Sequence, residues 1–130
     1  MNLNVLIDSH VLIWALYEPS KIGKIAQKLL MTDREVYCST VSLWELTLKY
    51  HKKKLPYSPD ELYIGARELG VEILDLKGEH VRALTSIDTN HSDPFDRMLI
   101  TQAARESLLF MTADKTLLEL NMPFIRKASE

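Results

Sequence analysis

The sequence predicts an α/β fold in which a short parallel sheet is covered by helices on both faces. Strand-length apolar runs alternate along the chain with stretches of helical periodicity, and each strand run is continuously apolar instead of alternating, as in strands buried on both sides. Size sets the third constraint. With 130 residues and 46% hydrophobic content, the chain can bury one sizeable core and is short for two ordinary domains, so residues 1–130 are read as a single α/β/α sandwich.

The first strand is Leu3 to Ile7, followed by Asp8-Ser9-His10 and an apolar helical stretch from Val11 to Leu16. Pro19-Ser20 breaks the chain, and from Lys21 the residues Ile22, Ile25, Ala26, Leu29 and Leu30 recur at three- and four-residue spacing, one face of a helix. Val36 to Ser39 makes the second strand. Thr40 and Ser42 are candidate caps for the helix that carries Leu43, Trp44, Leu46, Leu48 and Tyr50 and ends at Lys52-Lys53-Lys54, where basic residues suit the helix dipole. Ser58-Pro59-Asp60-Glu61 reads as a helix start with proline in the first turn, and Gly70 ends that helix before the strand Val71 to Leu74. Lys77 to Ile87 has helical spacing, Asp88 to Ser92 is a polar loop, and Asp93-Pro94 opens a helix reaching about Glu106. Leu108 to Met111 is a fourth strand, Lys115 to Leu120 a short helix, and Phe124-Ile125 a last strand after the turn Asn121-Met122-Pro123.

Composition excludes several functional classes. No apolar stretch is long enough to cross a bilayer, which makes a cytoplasmic location the expectation. The single cysteine, Cys38, rules out an internal disulfide and a cysteine-based zinc site and is read as core. A formal charge of −2 argues against nucleic-acid binding by global positive charge. That objection weakens if bound divalent cations reverse the local field.

In a parallel sheet covered on both faces, ligands sit beyond the carboxyl ends of the strands, so polar residues just after strands are the ones to examine. Asp8 follows the first strand, Glu45 lies shortly after the second, Asp93 and Asp96 open the helix before the fourth, and Asp114 follows the fourth. Each has an ordinary explanation: Asp8, Asp93 and Asp114 are good N-caps, Asp96 suits a first helical turn, and Ser42 with Glu45 fits a capping box. Jointly they crowd one edge, and crowded carboxylates repel unless a cation, a proton or a basic side chain neutralises them. Oxygen donors without cysteine or paired histidines suit magnesium or manganese better than zinc. A metal-held water is a better nucleophile, and the same charge stabilises in-line displacement at phosphorus, so hydrolysis of a phosphodiester is the natural reaction.

Four segments, LIDSHVLIW at the start, STVSLWEL, HSDPFDRMLITQA and the late FMTAD, resemble the PIN domain, and within it the VapC-like toxins of bacterial and archaeal toxin–antitoxin pairs. The likeness spans nearly the whole chain. It implies strand order 3-2-1-4-5 and a metal-dependent endoribonuclease using Mg2+ or Mn2+. By position, Asp8, Glu45, Asp96 and Asp114 look like the metal-binding catalytic quartet, with Asp93 as an auxiliary ligand. Ser9, Ser42 and Thr112 would be polar helpers orienting a carboxylate or a bound water. The likeness also implies a cognate antitoxin that covers the site, an RNA substrate and a homodimer, for which the helices around Ile22–Leu30 and Leu62–Leu69 offer apolar faces that are equally explained as core. An RNA-processing nuclease without an antitoxin and a non-cleaving scaffold are the alternatives. A response-regulator receiver and a haloacid-dehalogenase-like phosphatase are disfavoured, the first because only Asp8 stands at the first strand, the second because position 10 is histidine.

Around the acids, Arg97 is a candidate to pair with a carboxylate or clamp a substrate phosphate. Lys49 and Lys52, with His51, Lys53 and Lys54, form either a phosphate-contacting rim or a solvated helix end. His10 and His91 flank the site, as proton shuttles or as structural histidines. Trp14 and Trp44, within apolar helical runs, are expected in the core.

Overall fold

The computed structural model describes residues 3–31, 33–87 and 93–130. Five parallel strands form one sheet: β1 (Val5–Ile7), β2 (Val36–Ser39), β3 (Glu72–Leu74), β4 (Leu109–Thr112) and β5 (Ile125–Lys127), in the order β3-β2-β1-β4-β5. The central strand β1 pairs Ile7 with Cys38 of β2 on one side and with Met111 of β4 on the other. The helices are α1 (Ser9–Tyr17), α2 (Lys24–Met31), α3 (Thr40–His51), α4 (Pro59–Glu68), α5 (Gly78–Ala83), α6 (Pro94–Arg105) and α7 (Lys115–Leu118).

Alternation along the strands divides the core into two halves, because successive side chains point to opposite faces of a sheet. Val5, Ile7 and Met111 pack with Val11 and Leu12 of α1, Ala26 of α2 and Leu62 and Ala66 of α4. Leu6 and Phe110 face the other way, onto Leu99, Ile100 and Ala103 of α6 and Leu117 of α7. The result is the expected three-layer α/β/α sandwich with the expected strand order. Cys38 lies fully buried in the first half, and burial pushes its thiol up to about 12. No helix among the described residues is long and apolar enough to cross a membrane.

Several boundaries differ from the sequence reading for identifiable reasons. The first helix starts at Ser9, because Asp8 caps it directly behind the strand. Pro19–Lys21 forms a 3-10 turn and Ile22 is extended, so α2 begins at Lys24 although Ile22 is still buried. Strand β2 runs straight into α3, and the cap is Ser39, whose hydroxyl accepts the Val41 amide at 3.0 Å, not Thr40 or Ser42. Thr40 instead accepts the Leu76 amide at 3.1 Å, tying the end of β3 to α3. The stretch Lys77 to Ile87 divides into α5 and a 3-10 turn at Leu84–Ser86. The last strand lies at Ile125–Lys127, further on than the apolar pair Phe124-Ile125 indicates, since an edge strand tolerates basic residues. The loop Asp88 to Ser92, and with it His91, lies outside the described residues.

One core assignment is overturned. Trp14 is half-buried against the first half of the core, but Trp44 is 58% exposed. The buried face of α3 carries Val41, Ser42 and Leu46, and Trp44 with Leu48, four residues apart on one stripe, falls on the outer side. In the helices with apolar faces, Ala26, Leu62 and Ala66 are core, whereas Ile25, Tyr63, Ile64 and Leu69 face outward.

Phe110 is fully buried at the junction of β4 and α6 and leaves the largest void on truncation. Phe110→Ala should lower unfolding stability by about 3–5 kcal/mol, measured by urea denaturation. A loss below about 1 kcal/mol, the scale of an ordinary surface change, would contradict this packing.

Candidate active site

Asp8, Glu45, Asp93, Asp96 and Asp114 line a single cavity of about 140 Å³, together with Ser9, His10 and Lys49. At about 30 Å³ per water, it has room for a few waters or a hydrated ion. It opens at the carboxyl ends of β1 and β4, the edge that parallel topology marks for ligands. The sequence reading therefore places all five acids correctly at one edge, and the structure brings them around one space.

Asp8 is the most buried of the five, 4% exposed at the end of the central strand. Its amide donates to the Met111 carbonyl at 3.0 Å, continuing the β1–β4 ladder by one residue. Its Oδ1 accepts the Val11 amide at 2.9 Å, and its Oδ2 accepts the Thr112 hydroxyl. Thr112 Oγ1 also accepts the Asp114 amide at 3.0 Å. One buried hydroxyl thus ties the Asp8 carboxylate to the loop that carries Asp114. Burial raises the Asp8 carboxyl above the usual carboxylate range, and its bonds to Thr112 and Val11 and the nearby His10 oppose that rise only in part.

The other acids are held by local bonds. Glu45 in α3 accepts the Ser9 hydroxyl at 2.7 Å and lies 3.8 Å from the Lys49 ammonium. Asp93 caps α6, its Oδ1 accepting the Phe95 and Asp96 amides at 2.9 and 3.1 Å. Asp114 caps α7, accepting the Thr116 amide at 2.8 Å and the Thr116 hydroxyl at 2.6 Å. The capping explanation is correct for Asp8, Asp93 and Asp114, and it does not compete with a site. Capping is what fixes these carboxylates at the cavity, and three helix N-termini lend them partial positive charge. The Ser42–Glu45 capping box does not form.

Of the polar helpers, Ser9 and Thr112 bond directly to acids, whereas Ser42 is buried in the first turn of α3 with its hydroxyl unpartnered among the described residues. Lys49 and the exposed His10 reach the cavity. Arg97 does not line it: its Nε is buried without a hydrogen bond, and among the described residues it makes no ion pair. Lys52 follows α3 as its C-cap, outside the cavity lining.

The donor set is all oxygen and strongly anionic, which fits a hard divalent cation. No three acidic, histidine or cysteine side chains among the described residues converge closely enough to enclose an ion by themselves. This is compatible with magnesium, which keeps several waters and takes one or two carboxylates directly; it does not fit a dedicated all-protein cage. Sequence reasoning missed the Ser39–Gln102–His80–Glu106 chain that braces the neighbouring helices. Ser39 donates to Gln102 at 2.6 Å, Gln102 lies 3.3 Å from His80 Nδ1, and the fully buried His80 meets Glu106 at 2.8 Å. No local motif reveals a chain spread over three elements.

The family model for the PIN domain matches residues 5–121. Among solved structures, a VapBC2 complex from Rickettsia felis bound to a promoter DNA fragment superimposes with a TM-score of 0.70 at 13% identity, covering 96% of this chain and 98% of that one. A DNA-bound VapBC from Salmonella typhimurium gives 0.64 at 22% identity, covering 96% of each chain. A toxin–antitoxin complex from Klebsiella pneumoniae gives 0.61 at 12%, covering 95% and 96%. At these identities the likeness is one of fold. Comparison with curated proteins finds none that match.

The raised Asp8 carboxyl sets the sign of a pH effect. Near pH 4 and above, the unfolded chain gives up this proton before the folded one does, so the ionised form costs folded stability that Asn would not. Without divalent metal, Asp8→Asn should therefore melt higher than the natural chain at pH 7, and the gap should close as the pH falls toward 4. Thermal unfolding in chelator across that range measures it; an Asn variant that melts lower throughout would show that the Val11 and Thr112 bonds outweigh burial.

Proposed function

Since the chain belongs to the PIN domain family, we propose that it is a metal-dependent endoribonuclease, the toxin of a toxin–antitoxin pair acting in the cytoplasm. The observation that supports this most is the convergence of five acids on one small cavity, with Asp8 buried at its base. In this reading Asp8 and Asp96 are the direct ligands of Mg2+ or Mn2+, Glu45 orients the attacking water, and Asp114 and Asp93 act through water. The cation supplies charge that activates water and stabilises the phosphorane and the leaving oxygen.

The chain's own residues do the rest. Ser9 holds the Glu45 carboxylate by its hydroxyl, and Thr112 holds Asp8 and the Asp114 loop together. Lys49 offers a positive charge at the rim for a substrate phosphate, and its ion pair with Glu45 stands in for that contact in the free protein. A phosphate role for Arg97 or Lys52 would require movement toward the cavity. The solved structures of similar fold include VapBC and toxin–antitoxin complexes, which supports an antitoxin as partner. The outward apolar residues Ile25 and Met31 of α2, Ile64 of α4 and Leu69 at its C-cap are the surfaces a partner chain or second copy would use.

Purified protein should cleave RNA with magnesium or manganese and not with chelator. Asp96→Asn should reduce cleavage to background, and Thr112→Val or Ser9→Ala should reduce it about 10–100-fold, as expected for groups acting through a ligand. Metal at about a hundredfold its Kd should stabilise the natural chain by about 2.7 kcal/mol and stabilise Asp96→Asn far less. RNA binding without cleavage would identify a non-cleaving scaffold instead, and cleavage retained in Asp96→Asn would defeat the site assignment.

A further inference from the structure

We infer that Trp44 is a stacking platform for a nucleobase of the substrate, a positioning residue beside the carboxylate cavity; the inference rests on the ribonuclease reading above. A large exposed aromatic is costly to leave in water, and Trp44 on the outer face of α3 is 58% exposed. Its ring is nevertheless fixed. It meets Phe95 edge-on, with centroids 5.0 Å apart and planes at 71°, and Phe95 is anchored on the α6 half of the core. The indole is thereby held at the seam of α3 and α6 while most of its surface stays open.

That seam also carries the acids. Glu45 follows Trp44 in the chain and Asp96 follows Phe95, each about 3.8 Å away between Cα atoms, and both acids line the cavity. A nucleotide with its phosphate at the cavity has a base one sugar away, within reach of a ring so placed. Stacking suits that base because every base offers a flat π-face, and an unpaired base offers it without first leaving a duplex. A protein partner is the poorer fit, even with Leu48 one turn further along the same stripe. Closing an apolar interface over Trp44 would bring carboxylates on both flanks toward its dry centre, where charged residues are depleted.

The test uses the full chain with Trp14→Phe, which leaves Trp44 as the one tryptophan, with magnesium present and fluorescence read by rapid mixing before turnover. Single-stranded oligouridylate and oligoadenylate, and a duplex of equal length, are titrated while Trp44 fluorescence is read. Saturable quenching by the single strands and weak quenching by the duplex is expected. In the otherwise natural chain with metal, Trp44→Ala should raise the KM for RNA about ten- to a hundredfold, with most of the loss restored in Trp44→Phe, and should leave kcat within about threefold. Trp44→Phe also serves if the alanine variant does not fold. Cleavage by the natural chain with unchanged KM in the variants, or quenching equal for duplex and single strand, overturns the platform and leaves the nuclease reading intact. Loss of a dimer in Trp44→Ala by light scattering, with RNA affinity unchanged, assigns the ring to a second copy and also overturns it. Absence of cleavage by the natural chain, with quenching by single strands retained, sinks the nuclease reading alone.

Discussion

A carboxylate buried at the end of the central strand is the constraint around which the rest of this molecule is arranged. Asp8 has little contact with water, so its charge must be met by bonds, helix ends or a cation. The fold supplies the first two: the Val11 amide from α1, the Thr112 hydroxyl from β4 and the N-terminus of α1. They offset burial incompletely, since the Asp8 carboxyl stays above the ordinary range. The shortfall leaves the ionised Asp8 carboxylate a cost to the folded chain that a nearby positive charge would relieve.

The parallel sheet explains why the acids meet. Each strand points its carboxyl end to one edge, and the next helix begins there, so residues that cap helices are delivered to a common place. Asp8, Asp93 and Asp114 are caps and cavity residues at once. In Asp93 and in Asp114 one carboxylate oxygen accepts amides of the helix that follows, Phe95 and Asp96 for the first and Thr116 for the second, which orients each group. Glu45 comes from the second turn of α3 and is instead fixed across elements by Ser9. The hydrogen bonds of the framework thus set the orientation of these negative oxygens around one cavity.

The sandwich was legible because strand runs such as Leu3–Ile7 and Leu108–Met111 are continuously apolar and helical spacing fills the intervals. The acids were legible because each follows a strand or opens a helix. What escaped detection depends on direction within an element. Ser42 and Trp44 are two residues apart in one helix, yet Ser42 points into the protein and Trp44 out of it, and a short apolar-rich helix with a weak stripe does not declare which way it faces. Arg97 adjoins Asp96 in sequence but leaves the cavity lining, because neighbours on a helix diverge by about 100°. The Ser39–Gln102–His80–Glu106 chain involves two helices and a strand end, and no window of sequence contains it.

Cys38 carries a consequence outside the chemistry of the site. Its sulfur sits beneath the sheet next to the central strand, and burial holds it protonated far above physiological pH. Electrophiles need the thiolate, so in the folded molecule this thiol is shielded from alkylating agents and oxidants. Since this is the only sulfhydryl, its reaction with a thiol-specific dye would act as a built-in clock for opening of the β1–β2 pair, ticking only when the centre of the sheet comes apart.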